Sequence, residues 1–196
     1  EPVTSTPLDV ENTPPTLESA SLLPIEPTVE STLTCSPGPG SDPDGTTDFS
    51  YSYRWEVAGV SIPDETGPTL TAPAFARGNT VQCFITISDG ADEGEEVGSN
   101  FTTIENSRPV IDSLVIGPDE VRTNDVITAD VEISDADGDI ALVIYEWKVN
   151  GVPVEDIAED SYVINGVSHF DKDDSVQVTA TPIEAGGGFA GLPVVS

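Results

Sequence analysis

The sequence repeats itself, and that restricts the fold more than any other feature. Asn12-Thr-Pro-Pro15 returns as Asn106-Ser-Arg-Pro109, Leu33-Thr-Cys35 as Ile127-Thr-Ala129, and Ser41-Asp-Pro-Asp-Gly45 as Ser134-Asp-Ala-Asp-Gly138. Tyr53-Arg-Trp55 returns as Tyr145-Glu-Trp147, and Val81-Gln82 as Val176-Gln177. The landmarks keep one order, each about 94 residues further on, so one supersecondary plan has to serve twice. A unit of about 94 to 97 residues is the size of a small β-sandwich.

The register also reaches the ends. Glu1-Pro-Val-Thr-Ser5 matches Glu95-Glu-Val-Gly-Ser99, and Leu8-Asp-Val-Glu-Asn12 matches Thr102-Thr-Ile-Glu-Asn106. Residues 1–11 therefore read as the last strand of a preceding or neighbouring unit. Residues 12–105 form a first domain and 106–196 a second. Leu192-Pro-Val-Val-Ser196 matches Glu1 to Ser5, so the second domain's last strand is expected to be incomplete. Two arrangements fit this register. The chain is a window on a longer tandem array, or subunits join head to tail, with the strand at Val3 to Val10 completing the second domain of an identical subunit. An incomplete sandwich exposes a sheet edge that an extended segment can fill by β-augmentation.

Composition supports strands over disorder. Hydrophobic residues make up 37% of the chain and fall in short alternating runs, while 17 Gly and 17 Pro gather between them. Strands joined by turns have this pattern. In the first unit they are expected near Thr16–Leu22, Ser31–Cys35, Ser50–Val57, Thr69–Ala72, Val81–Ser88 and Val97–Ile104. In the second they are expected near Val110–Ile116, Val126–Ser134, Ala141–Val149, Tyr162–Ile164 and Ser175–Thr181. Period-2 alternation turns Leu33 and Cys35 toward Val81, Cys83, Ile85 and Ile87. It turns Ile127, Ala129, Val131 and Ile133 toward Val176, Val178 and Ala180, and it puts Tyr53 and Trp55 on one face.

Charge excludes several roles. There are 36 acidic and 6 basic residues, a formal net charge of −30. Such a surface repels nucleic acid and anionic membranes. No apolar run approaches the roughly 20 residues of a membrane span, and no leader pattern is visible. The chain opens on Glu1 and contains no Met, so removal of a natural start is expected.

The order Cys35, Trp55, Cys83, on the second, third and sixth expected strands, resembles the pin of immunoglobulin domains. With Asn-x-x-Pro, Asp-x-Asp-Gly, Tyr-x-Trp and a late Asp-Gly, the wider set resembles the Ig-like and cadherin-like tandem repeats of large bacterial or archaeal secreted surface proteins and adhesins. The resemblance implies an all-β fold of two immunoglobulin-like sandwiches. It also implies a Cys35–Cys83 disulfide beside a buried Trp55, with Trp147 as the second unit's core marker. That bridge would stabilise the chain by about 4 kcal/mol on chain-entropy grounds. It would place the protein in an oxidising compartment, secreted or at the cell surface. Two free buried thiols are the other reading of the pair. Ala129 and Val178 stand at the equivalent positions, which argues against a catalytic or metal role.

The acidic loops are candidate calcium sites. Asp42, Asp44 and Asp48, and Asp135, Asp137 and Asp139, lie between the second and third strands of each unit. Alternating carboxylates with a Gly in the turn suit a cation that takes six to eight oxygens. In an immunoglobulin-type sandwich the incoming linker would add Glu11 and Asn12 to the first site, and the late loop Asp89 and Asp92. The second site would draw on Glu105, Asn106 and Glu184. Cadherin-like repeats stiffen their joints in this way. Solvated turns are the alternative, since Asp and Gly favour turns in any case. The second unit's late loop, Ala185-Gly-Gly-Gly188, lacks the Asp-Gly of the first.

Nothing in the sequence points to catalysis. His169 is the one histidine, and Gly166-Val-Ser168-His169-Phe170 lacks the second Gly of a nucleophile elbow. No phosphate loop or dinucleotide fingerprint occurs. The expectation is a non-enzymatic structural repeat of an extracellular stalk, filament or adhesin, assembled linearly and stiffened by calcium. Its partners would be neighbouring repeats or identical subunits. The alternatives are an adhesive or carbohydrate-binding module, or a spacer of a large secreted enzyme.

Overall fold

The structure is a computed structural model that describes residues 3–186 and 188–196. Glu1 and Pro2 of the terminal repeat match, and Gly187 of the late loop, lie outside the described residues. The chain is all-β, with one helical turn, and its contacts divide it into Glu1–Asn106 (unit 1) and Ser107–Ser196 (unit 2).

Unit 1 runs through β1 (Thr16–Leu17), β2 (Ala20–Leu23), β3 (Leu33–Pro37), β4 (Gly40–Ser41) and β5 (Ser50–Val57). It continues with β6 (Val60–Ile62), β7 (Thr69–Leu70), β8 (Thr80–Ser88), β9 (Val97–Gly98) and β10 (Thr102–Thr103). One sheet has the order β2-β3-β7, and the other β10-β8-β5-β6, with β9 also on β8. Alternation drives this layering. Val81, Cys83, Ile85 and Ile87 of β8 are all 0% exposed, and the intervening residues are half-buried. They meet Leu22, Leu33 and Cys35 from the facing sheet, around Trp55 and Leu70. Burying each large apolar side chain contributes about 1.5–3 kcal/mol.

Unit 2 repeats the plan with β11 (Val110–Gly117), β12 (Val126–Ser134), β13 (Ala141–Val149), β14 (Val152–Pro153) and β15 (Val163–Asn165). These are followed by α1 (Gly166–His169), β16 (Val176–Glu184) and β17 (Val194–Val195). Its sheets are β11-β12-β15 and β14-β13-β16-β17. Ile127, Ala129, Trp147, Ile164, Phe170 and Val178 form its core. Val131, Ile133 and Val176 point the way their alternation requires but are only half-buried.

The strand boundaries of unit 1 differ from expectation. In unit 1 the expected strand Thr16–Leu22 breaks into β1 and β2 at Glu18-Ser19, and the expected strand Ser31–Cys35 runs as β3 to Pro37, with the short β4 following beyond Gly38-Pro39. Proline has no N–H for the ladder, so the chain loops out there. In unit 2 no proline interrupts β12, and the partner strand β11 stays whole, with one irregularity between Ile111 and Ser113. The expected strand Val97–Ile104 is split into β9 and β10 by Ser99-Asn100-Phe101.

Two hairpins were not anticipated from the sequence. Ala58-Gly59 and Asn150-Gly151 have φ of 50°, 75°, 54° and 78°, closing β5–β6 and β13–β14. Positive φ at both central residues is the type I′ turn that suits twisted antiparallel strands. His169 ends α1, its Nδ1–H donating to the Asn165 carbonyl at 3.0 Å and its Nε2 facing Asp156 at 3.3 Å, while Phe170 enters the core. Residues 3–11 carry no strand, and Val3, Leu8 and Val10 are 97%, 92% and 95% exposed.

Candidate functional site: the incoming linker and its acidic loops

In both units the Asp-x-Asp-Gly loop grips the segment that enters the sandwich. The Asp44 backbone N–H donates to Asp42 Oδ1 at 2.6 Å, and that of Asp137 to Asp135 Oδ1 at 2.8 Å. These Asx turns orient the second carboxylate of each loop toward the linker. Asp44 Oδ2 then accepts from the backbone N–H of Thr13 at 2.6 Å, and Asp137 Oδ2 from that of Ser107 at 2.5 Å. A charged acceptor makes such bonds short and strong. The loop acids thus act on backbone, repeated atom for atom.

The late loop of unit 1 adds a second grip. Asn12 Nδ2 donates to Asp89 Oδ2 and Asp92 Oδ2, both at 2.9 Å. The Asn12 amide, followed by the backbone N–H groups of Asp92 and Ala91 and the Asp42 side chain, holds the Asp89 carboxyl down to about 2. Asn12, Asp42, Asp44, Asp89 and Asp92 therefore meet around one linker; Glu11, like Asn12 and Asp44, is exposed.

Unit 2 assembles less. Asp135, Asp137 and Asp139 stay together, with the Asp139 N–H on Asp135 Oδ1 at 3.2 Å. Asn106 is bound within unit 1, its Oδ1 accepting from Arg77 Nη1, and the Glu105 N–H donates to the Pro27 carbonyl at 2.6 Å. Glu184 continues β16, its N–H donating to the Phe189 carbonyl at 2.9 Å. Asp48 is exposed. Among the described residues, no three or more His, Cys, Asp or Glu side chains converge as a ready metal cage. Three carboxylate oxygens, Asp42 Oδ2, Asp135 Oδ2 and Asp137 Oδ1, are buried without a hydrogen-bond partner. Such oxygens are costly to bury and are what a hard cation would satisfy.

Sequence reasoning passed over the glycines that receive the linker. A Cβ on Gly94 would lie 2.2 Å from the Pro15 carbonyl oxygen, and one on Gly191 would lie 1.9 Å from that of Pro109. Only a residue without a side chain permits this approach. The signal was available: Gly94 stands three residues before Val97 of β9, and Gly191 three before Val194 of β17.

The pin is in place. Cys35 and Cys83 are disulfide-bonded across 48 residues of sequence. Trp55 Nε1 donates to the Gly67 carbonyl, and Trp147 Nε1 to that of Ser161, each at 2.9 Å. On the outer face of unit 1, Arg54 forks onto Glu96 at 2.9 and 2.7 Å and stacks over Phe84 at 3.9 Å.

Two antiparallel sandwiches on one plan, the first pinned by a disulfide, have an immunoglobulin-like all-β fold. No protein family and no curated protein matches the chain. Among solved structures, the chicken CNTN1 FN1–FN3 domains align at 9% identity and a TM-score of 0.34, over 95% of this chain and 68% of that one. No helix among the described residues is long and apolar enough to cross a membrane.

Proposed function

We propose that this chain is a non-catalytic structural repeat of an extracellular stalk, filament or adhesin, in which each sandwich locks the segment that leads into it. The repeated latch carries this reading: Asp44 on the Thr13 N–H and Asp137 on the Ser107 N–H, each beside a glycine that admits the linker's proline carbonyl. A module that fixes its own incoming segment suits linear stacking. The disulfide accords with an oxidising, extracellular setting. The net charge of −30 keeps extended chains soluble and apart.

Calcium belongs to this reading as the ligand of the acidic loops. Its support is the set of buried, unsatisfied oxygens on Asp42, Asp135 and Asp137. Small-angle X-ray scattering of the chain, with excess calcium and with chelator, tests both parts. The reading expects an elongated particle of about 80 Å, from sandwiches of about 40 Å each, that loses stiffness in chelator. A compact particle in both conditions would remove the stalk reading. An elongated particle indifferent to chelator would remove calcium and leave the protein latch alone.

A further inference from the structure

We propose that the free margin of β13 in unit 2 binds an extended, apolar segment of a partner protein, flanked by Lys or Arg, as an added strand. The inference goes beyond the structural-repeat reading and does not rest on it.

The backbone leaves a place for it. Successive residues of an antiparallel strand turn their N–H and C=O groups to opposite sides. The Ile140 carbonyl accepts from the Ala185 N–H on the β16 side at 2.8 Å, whereas the Tyr145 N–H donates away from β16, to the Glu159 carbonyl at 2.6 Å. Ala141 and Val143 share the phase of Tyr145, so their backbone groups face this outer margin. β14 pairs only with Lys148 and Val149. Among the described residues, no hydrogen bond reaches the outward groups of Ala141 and Val143. In the sheet order β14-β13-β16-β17 this margin lies on the side away from β17. An unpaired strand edge is a template for another chain.

The side chains differ from those of unit 1 at just this place. With Tyr53 matched to Tyr145, Phe49 and Tyr51 fall at Ala141 and Val143, and Ser50 and Ser52 fall at Leu142 and Ile144. In unit 1 both rings pack against the core, and the outer face pairs Ser50 with Ser88 and Ser52 with Thr86. In unit 2 the smaller Ala141 and Val143 stand beside an open cleft of about 770 Å³, walled by Ile133, Tyr145 and Tyr162. The outer face there pairs Leu142 with Ile183 and Ile144 with Thr181. Leu142 is 52% exposed and Tyr162 56%. Unit 1 therefore has a filled cleft and a polar margin, and unit 2 an open cleft and an apolar one.

Charge selects the occupant. Glu159 and Asp160 line the cleft, and no Lys or Arg does. A second copy of the chain, at a net charge of −30, is repelled from this margin. A partner segment with Lys or Arg beside its apolar run is drawn to it instead. In strand addition the main-chain bonds give affinity and alternate side chains give specificity. Here Ala141 and Val143 supply the ladder. One set of the partner's side chains enters the cleft toward Ile133 and Tyr162, and the other lies along Leu142 and Ile144.

Titration of the isotope-labelled full chain with the synthetic peptide Lys-Lys-Val-Thr-Val-Thr-Val-Lys-Lys, followed by NMR, tests this. The Ala141 and Val143 amides are expected to shift and to gain protection from hydrogen exchange. A control peptide with serine in place of valine is expected to bind about tenfold more weakly or less. Leu142→Lys, at an exposed position, is expected to keep the fold by circular dichroism and to weaken peptide binding by about tenfold. Equal binding of the serine control, or shifts confined to the acidic loops at Asp42 and Asp135, would mean plain charge attraction and overturns the proposal. A Leu142→Lys variant that binds as the wild type does overturns it as well. Self-association without peptide that Leu142→Lys abolishes would give the edge to a second copy, again overturning it. None of these outcomes touches the stalk reading, because the particle's length is read separately by scattering.

Discussion

Cys83 stands directly opposite Trp55 in the β5–β8 ladder, and its sulfur crosses to Cys35 on the facing sheet. Unit 2 keeps this geometry without the bond: Val178 stands opposite Trp147, and Ala129 occupies the place of Cys35. The pin is thus a covalent addition to a core that already packs without it. The double substitution Ala129→Cys, Val178→Cys is expected to form a second bridge under oxidising conditions. A loop of this size stabilises by about 4 kcal/mol on entropic grounds. For a domain of this length that corresponds to a rise of more than about 15 °C in the melting transition of unit 2. Calorimetry with thiol titration checks it. Two titratable thiols after oxidation, or a lowered transition, would refute the equivalence.

The indole of Trp147 has a second task, since its N–H satisfies the Ser161 carbonyl at 2.9 Å in a half-buried bond. Trp147→Phe keeps an aromatic ring in the core but orphans that acceptor. Leaving a buried polar group unpaired costs about 1–3 kcal/mol, and the smaller ring adds a void. Urea unfolding is expected to show a loss of at least that size. A change below about 0.5 kcal/mol, typical of surface sites, would mean that water takes over the bond.

Much of this was legible because alternation is a strong signal where one face is sealed. Leu33, Cys35, Val81, Cys83, Ile85 and Ile87 are all buried, in the phase the sequence dictates. The Asp42/Asp44 loop, Asn12, Asp89 and Asp92 could be brought together from topology alone. Less legible were features set by backbone demands. Thr16–Leu22 reads as one strand, yet it breaks at Glu18-Ser19, where the Glu18 N–H donates to the Pro39 carbonyl and the Ser19 carbonyl accepts from the Gly38 N–H. The type I′ hairpins rest on positive φ at Asn150-Gly151, a strong turn signal, and at Ala58-Gly59, a weak one. The acidic loops were read for their charge, yet their first partners are the Thr13 and Ser107 N–H groups, which no side-chain pattern announces.

The glycine that admits the linker offers a sharp test. At Gly191 an added methyl would press within 1.9 Å of the Pro109 carbonyl oxygen, which is backbone and cannot swing aside. Gly191→Ala is therefore expected to destabilise unit 2 by about 1–3 kcal/mol, the usual cost of overpacking. At Gly67 an added Cβ meets nothing within 4 Å, so Gly67→Ala is expected to stay within about 0.5 kcal/mol of wild type. Equal effects of the two substitutions, measured by chemical denaturation, would show that the linker is not held where the structure places it.

Asp89 gives the latch a dependence on pH. Its carboxyl is held down to about 2 from 3.8, first by the Asn12 amide and then by backbone N–H groups. A carboxyl with a depressed folded value contributes stability that is fully present above the unfolded value. That contribution is lost as pH falls through the folded one, here between about 3.8 and about 2. Asn12→Ala removes the largest cause and is expected to raise the Asp89 value toward 3.8, narrowing that window from below. Carboxyl chemical shifts followed across acid pH read the change at Asp89 directly. Asp174, whose carboxyl is lowered by the Asp171 N–H and the Asn150 amide, shares nothing with Asn12 and serves as the internal reference. An Asp89 titration that does not move in Asn12→Ala would mean the amide contributes nothing to the grip. The linker would then be held by Asp44 and the glycine contact alone.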